Sequence, residues 1–326
     1  MLMRPLGRSG LAVSAIGFGA WGIGGHTAGG RSYGATDDAV SLAALEAAFD
    51  AGVTFYDTAP LYGLGHSEEL IGRAFRARRD RVVIATKAGY SDFTAAPDVS
   101  PSGIRRSLEA SLRRLGTDYV DLLQLHDADP AYLAEHPEAI DTLTALRAKG
   151  RIRAIGASVK SPAHALALIE SGVVQVIQAN FNMMDLRALD CGLLARAEEL
   201  GVGIVARTPL CFGFLTGHMT GEEEFPADDH RSLWPRRQLR AWAEGARQLL
   251  SLDDRAPGET GTTTALRFVL SFAAVATTIP GMLTPAHVAE NTTAGGQPPL
   301  SAAALAEALR LSRAHNGFIA TTETAS

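Results

Sequence analysis

"VTFYDTAPLYG", Val53–Gly63, runs from a β-branched and aromatic stretch onto an aspartate, then turns into a loop that carries a tyrosine. Val53–Asp57 has the length and residue types of a buried strand, and Asp57 closes it with a carboxylate. The same device recurs downstream. "RVVIATK" (Arg81–Lys87) ends on a lysine and "YVDLLQLH" (Tyr119–His126) on a histidine. Five more short apolar runs complete the set: "AIGFG" (Ala15–Gly19), "RIRAIGAS" (Arg151–Ser158), "VVQVIQAN" (Val173–Asn180), "VGIVAR" (Val202–Arg207) and "VATTIPG" (Val275–Gly281).

Helix-like segments separate these runs. In "SPSGIRRSLEASLRRLG" Ser100 suits the N-cap, Pro101 the first turn and Gly116 the C-terminal cap. Ile104, Leu108, Leu112 and Leu115 recur at helical spacing and predict one buried stripe. "SPAHALALIESG" repeats the pattern with Ser161, Pro162 and Gly172, and Thr36–Ala51 before Gly52 reads the same way. Eight β/α alternations predict a single α/β domain over residues 1–326, an eight-stranded (β/α)8 TIM barrel. "MRPLGRSGLAV" forms a small N-terminal hairpin before it. Thr208 to about Trp234 is Gly- and charge-rich and weakly patterned, which predicts a long loop after strand seven, over one mouth.

Composition bounds the function. The formal net charge of -5 supplies no attraction to nucleic acid or an anionic membrane. No apolar run is long enough to span a bilayer, and "MLMRPLGRSG" lacks a signal-peptide core, so a cytoplasmic protein is expected. Cys191 and Cys211 have no metal-site spacing, and no metal is expected. "GFGAWG" fits G-x-G-x-x-G at Gly17, Gly19 and Gly22, but "IGGHTAGGRSYG" behind it is too glycine-rich for the helix a Rossmann phosphate site needs.

In a parallel β/α barrel, side chains at the C-terminal strand ends converge on one mouth. Asp57, Lys87 and His126 end strands two, three and four, and Tyr62 lies in the loop behind Asp57. Singly, such residues are commonly solvated or structural. Together they make an acid catalyst. A carbonyl that accepts hydride becomes an alkoxide and needs a proton. A phenol of ordinary pKa near ~10 gives one reluctantly, and a neighbouring ammonium should lower that value. Asp57 would keep Lys87 charged and oriented, and His126 would donate a hydrogen bond to the carbonyl oxygen.

"GLAVSAIGFGAWGIGG", "FYDTAPLYGLGHSEELIG", "VIATKAG", "DLLQLHD" and "TTIPGMLTPAHVAEN" resemble the aldo-keto reductase superfamily, in the right order over almost the whole chain. The resemblance implies that Asp57, Tyr62, Lys87 and His126 form a catalytic tetrad with Tyr62 as general acid. It implies an extended nicotinamide cofactor, NADP(H) before NAD(H), that crosses the barrel mouth without a Rossmann fold. Gly19, Ala20 and Trp21 would border the nicotinamide and the substrate, and Ser158 and Gln178 would hold the carboxamide. Arg207, Thr208, Leu210 and Gly213 would follow the cofactor along the loop after strand seven. Gly281, Leu283, Thr284, His287, Glu290 and Asn291 would take the adenosine end.

Four positions depart from the family. Val159 stands where an asparagine commonly binds the carboxamide. Arg207 stands where many members stack an aromatic on the nicotinamide, and its charge should favour reduced cofactor or bind an anionic substrate group. Leu283 and His287 replace residues near the ribose phosphate, which weakens the case for NADP(H). In the loop after strand seven, Asp228, Asp229, His230, Arg231, Trp234, Arg236 and Arg237 either meet a sugar-like or phosphorylated substrate or form surface ion pairs. His66 and Ser67 are expected to order and cap the next helix. The leading expectation is an NAD(P)H-dependent reductase acting on a small aldehyde or ketone. A non-redox dehydratase or lyase using Tyr62 and Lys87, and a sensor of reduced cofactor, are the alternatives.

Overall fold

The structure is a computed structural model describing residues 1–26, 32–90, 96–252, 255–256 and 258–315. It opens with an antiparallel hairpin, β1 (Met3–Pro5) and β2 (Ala12–Ser14). Parallel strands and helices then alternate: β3 (Phe18–Gly19), α1 (Asp38–Asp50), β4 (Phe55–Asp57), α2 (His66–Phe75), β5 (Val83–Ala88), α3 (Pro101–Leu115) and β6 (Val120–Leu125). Two helices, α4 (Pro130–Glu135) and α5 (Pro137–Ala148), lead to β7 (Ile152–Ser158), α6 (Pro162–Glu170) and β8 (Val176–Asn180). The chain continues through α7 (Arg187–Asp190), α8 (Leu193–Leu200), β9 (Gly203–Arg207), α9 (Arg236–Leu249), α10 (Gly261–Leu270), β10 (Val275–Ile279), α11 (Pro285–Thr292) and α12 (Ala302–His315).

Strands β3 to β10 lie side by side in sequence order, all parallel. The barrel closes where the Gly17 and Gly19 amides donate to Thr278 O (2.8 Å) and Pro280 O (3.0 Å) and Thr278 N donates to Ala15 O (3.0 Å). The expected eight-stranded barrel is therefore the fold, with the expected hairpin in front. The hairpin seals the N-terminal end. Arg8 N donates to Gly201 O at 2.6 Å, and Leu6, Leu11 and Val13 pack with Phe55, Val83, Leu122, Val176 and Val205 in one interior cluster. Alternate residues Ile84, Leu123, Ile155, Ile177 and Ile204 face the helices in the outer cluster. The inward rows therefore begin apolar and turn polar toward the opposite mouth.

Helix ends largely follow the sequence. Ser100 Oγ accepts from Gly103 N at 3.1 Å, Gly116 takes the left-handed cap at φ 65°, and Ile104, Leu108, Leu112 and Leu115 are buried. Ser161 holds the N-cap backbone without a side-chain bond. Ser67 does not cap α2. Gly65 occupies that position, and the Ser67 hydroxyl is drawn inside to Thr58 Oγ1 (2.8 Å) and Ala20 O (2.9 Å). His66 starts α2 and reaches Asp38 of α1 at 2.8 Å. The segment after β9 is long, as expected, but contains two 3-10 turns, Cys211–Thr216 and His230–Leu233. "GFGAWG" runs into a 3-10 turn, Gly22–Gly24, and among the described residues no α-helix follows it before α1.

Candidate active site

The polar ends of the inward rows meet at one mouth. On β4 Asp57 follows Phe55, on β5 Lys87 follows Ala85 and Val83, and His126 follows Gln124 and Leu122 just past β6. Lys87 Nζ donates to Asp57 Oδ1 at 2.6 Å, to Thr58 O at 2.9 Å and to Tyr62 Oη at 3.1 Å. Both charged side chains are essentially removed from solvent, so the ammonium and carboxylate are each other's main compensation. The second carboxylate oxygen, Oδ2, accepts from Gln124 Nε2 (2.9 Å) and Gln178 Nε2 (2.7 Å). Gln124 was not singled out from the sequence. Its signal is parity: it precedes His126 by two residues and so shares the inward face.

Tyr62 arrives by a different route. It opens a short turn, Tyr62–Gly65, in which Gly63 (φ 63°) and Leu64 (φ 52°) are left-handed. The Tyr62 and His126 rings stand edge to face at 6.4 Å. Non-glycine residues with positive φ cluster at this mouth among the described residues: Leu64, Asp127, Thr208, Cys211 and Phe212. Such backbone is costly and gathers at functional sites.

The electrostatics differ from the sequence expectation in one respect. Burial holds the Tyr62 phenol above its ordinary pKa, and Lys87 offsets this only in part. Packing decided the sign, because desolvation of the phenolate outweighs one nearby ammonium that is itself neutralised by Asp57. Burial also opposes the charge of Lys87, yet Asp57 and Tyr62 outweigh it and raise the ammonium's pKa. His126 is pushed down to about 3 by burial and then by the Lys87 charge. At neutral pH the site therefore holds a protonated phenol, a charged ammonium and a neutral imidazole. That set can donate a proton and a hydrogen bond to one oxygen.

The residues expected around a cofactor lie at the ends of the neighbouring strands. Gly19 pairs with Asp57 and bridges to Gly281, and a Cβ on Gly19 would meet Ile279 O at 2.7 Å. Ala20 is buried and donates through its backbone to Asp57 O at 3.0 Å, while the Trp21 ring stands 6.5 Å from that of Tyr62. Ser158 Oγ points to Gln178 Oε1 at 3.5 Å, and Gln178 spends its amide nitrogen on Asp57. Arg207 donates to Val159 O at 2.9 Å, and its Nε is buried without a partner. Thr208 (φ 52°) leads into a turn through Leu210 to Gly213 (φ 101°).

At the far side Thr284 caps α11 by accepting from His287 N at 3.2 Å. Leu283 N donates to His287 Nδ1 at 3.3 Å, and Asn291 Nδ2 to Gly281 O at 3.4 Å. Glu290 Oε1 is buried without a partner, and a Cβ on Gly281 would meet no atom within 4 Å. Open space and unpaired polar atoms along one edge of the mouth fit an extended polar cofactor.

The loop after β9 folds back on the N-terminal segment. Arg231 pairs with buried Asp229 at 2.7 Å and stacks its guanidinium over Tyr33 at 4.9 Å. His230 bonds Ser32 O through Nδ1 at 3.1 Å and packs against Trp21 and Trp234, with ring centroids 4.8 and 5.2 Å away. Asp228 reaches His26 at 3.1 Å, Arg236 takes Glu223 O at 2.8 Å, and Arg237 is exposed. These groups thus mostly tie the loop down.

Comparison with known proteins agrees with the barrel. Residues 15–311 match the family model for the Aldo/keto reductase family. Aldo-keto reductase YhdN of Bacillus subtilis (strain 168) is 34% identical over 269 residues, 80% of this chain and 79% of that protein. The NADH-specific methylglyoxal reductase of Escherichia coli (strain K12) is 33% identical over 230 residues, 66% of this chain and 69% of the relative. The solved structure of the glycerol dehydrogenase AKR11B4 from Gluconobacter oxydans superposes with a TM-score of 0.81 at 29% identity, covering 97% of this chain and 96% of that one. This chain belongs to the aldo/keto reductase family, and it is an NAD(P)H-dependent oxidoreductase of carbonyl compounds. The lyase alternative finds no support among these relatives.

Proposed function

We propose that Tyr62 is the general acid that protonates the carbonyl oxygen of a small aldehyde or ketone, within a tetrad completed by Asp57, Lys87 and His126. Bound NAD(P)H supplies a hydride to the carbonyl carbon. His126, neutral because of its burial, donates a hydrogen bond to the same oxygen and draws it toward the phenol. Lys87 stabilises the tyrosinate as its proton leaves. Asp57 keeps that ammonium charged, and Gln124 and Gln178 keep Asp57 in place. The observation that carries this reading is the 3.1 Å bond from Lys87 Nζ to the Tyr62 oxygen, inside a pair that Asp57 closes at 2.6 Å. Tyr62→Phe should lower kcat by roughly 100-fold or more while the cofactor Kd stays within about twofold. Turnover at the wild-type rate in this variant would remove Tyr62 from the role.

The preference for NADP(H) came with the family resemblance, whereas the residues themselves favour NAD(H). A 2′-phosphate brings roughly two negative charges and calls for an arginine or lysine. Gly281–Asn291 holds neither, and Glu290 adds a carboxylate. The Escherichia coli relative is named as NADH-specific. Fluorescence titration should therefore find tighter binding of NADH than of NADPH, and His287→Arg should narrow the gap by about tenfold. Tighter binding of NADPH by the wild type would reverse this assignment. The substrate is a small neutral carbonyl compound, and the hydroxylated, sugar-like class fits the polar mouth best.

A further inference from the structure

Helix α2 begins directly behind the Tyr62 turn and carries a fully buried carboxylate, Glu68, that the chemistry above does not use. Turn and helix are continuous, because His66 N donates to Tyr62 O and Gly63 O. Glu68 Oε1 accepts from Thr86 Oγ1 at 2.6 Å. Its Oε2 accepts from Arg114 Nε at 2.7 Å and from a terminal guanidinium nitrogen at 2.6 Å. Thr86 is also fully buried and precedes Lys87 on β5, so its side chain lies on the helix-facing side of the strand. Arg114, on α3, lies against the turn itself: a Cβ on Gly65 (φ 97°) would stand 2.4 Å from Arg114 Nε.

The residue before Glu68 ties the same helix end to the other side of the lysine. Ser67 Oγ meets Thr58 Oγ1, and Thr58 O accepts from Lys87 Nζ at 2.9 Å. The first turn of α2 is thus bonded to the strand that carries Lys87 and to the carbonyl that receives its ammonium. Stability does not call for a charged pair here. Helices α2 and α3 otherwise bury aliphatic side chains such as Leu70, Ile71, Ile104 and Leu108. An aliphatic pair in place of Glu68 and Arg114 would avoid dehydrating two charges. What the pair adds is direction, since charge-assisted hydrogen bonds fix distance and angle where apolar contacts do not.

We propose that Glu68, oriented by Arg114 and bonded to Thr86, is a positioning residue: it holds the Tyr62 turn in register with β5 and so sets the 3.1 Å bond between phenol and ammonium. The inference rests on the reading of Tyr62 as general acid and adds the device that aims that acid. A misplacement of about 1 Å at a reacting group costs on the order of 100-fold in rate, so a hold behind the turn has kinetic weight.

Thr86→Val keeps the shape and removes the hydroxyl, Thr86→Ser keeps the hydroxyl, and Glu68→Leu with Arg114→Met removes the charged pair together. Two readouts apply: the single-turnover rate of hydride transfer from NADH to glyceraldehyde, and the NMR signal of Tyr62 in protein labelled with ring-13C tyrosine. The chain has six tyrosines, so Tyr62→Phe assigns that signal. In Thr86→Val and in the double variant the Tyr62 signal should move and the rate should fall about tenfold or more, with the NADH Kd within about twofold. Thr86→Ser should restore both readouts. An unmoved Tyr62 signal in Thr86→Val and the double variant, whatever their stability to urea, means that the pair only fastens two helices and overturns the proposal. Equal displacement in Thr86→Ser and Thr86→Val also overturns it, because packing and not the hydrogen bond would then be responsible. A displaced signal with an unchanged rate supports the positioning and sinks the general-acid reading of Tyr62 alone.

Discussion

Lys87 is the residue on which the site turns. It is fully buried, holds three oxygens and is balanced by one carboxylate whose other oxygen is held by two glutamine amides. Removing one member of a buried ion pair strands the other, which costs about 3–5 kcal/mol, whereas removing both is often nearly neutral. Lys87→Met should therefore lower stability to urea by about that amount and abolish turnover. Lys87→Met with Asp57→Leu should regain much of the stability and none of the activity. A single Lys87→Met as stable as wild type would show that Asp57 is not compensated by that ammonium. Asp57, Lys87 and His126 were legible because each closes an apolar strand run. The direction of the Tyr62 shift was not, since it depends on how much water the packed neighbours exclude.

At the scale of the element, Tyr62 is placed by a contact between two turns. A Cβ on Gly63 would stand 2.1 Å from Gly24 O, and Gly63 sits at φ 63°. Gly63→Ala thus meets both a left-handed backbone and another segment's carbonyl, and only a backbone shift relieves the clash. Stability should drop by about 1 kcal/mol or more, and kcat should fall further than KM rises, because the phenol moves relative to Lys87 and His126. Unchanged kinetics would show that this turn does not set the position of Tyr62. Of the glycine-rich run after Trp21, Gly22–Gly24 forms a 3-10 turn and residues 27–31 lie outside the described residues; that its Gly24 meets Gly63 required the fold. The cover over the mouth was partly visible in the same way. Its length and charge marked a loop, but the Asp229–Arg231 pair under Tyr33 joins segments almost two hundred residues apart.

Over the whole molecule, burial of His126 makes stability sensitive to acid. Its folded pKa, about 3, lies below the ordinary value of 6.5, so the unfolded chain binds more protons between the two. Its contribution is fully present above about pH 6.5 and is lost as pH falls toward 3. His230, also lowered by burial, adds in the same direction. Urea unfolding should show lower stability at pH 4.5 than at pH 7.5, and His126→Asn should lose less over that interval. A wild-type stability that is flat across it would contradict a neutral, buried His126. The pH–rate profile should likewise show no inflection from His126 near its ordinary value.

The sequence by itself determined the barrel, its hairpin and the identity of the four converging groups. Strand count, strand-end polarity and helix caps are local patterns, and a parallel β/α alternation has few ways to close. Gln124 was equally available through its parity with His126 and was overlooked. Only the tertiary structure decided that Ser67 turns inward instead of capping α2, that Gln178 and Gln124 brace Asp57, and that the phenol is raised while the imidazole is held neutral. Burial and long-range hydrogen bonding are sums over neighbours that a linear chain does not specify until strands far apart in sequence stand side by side.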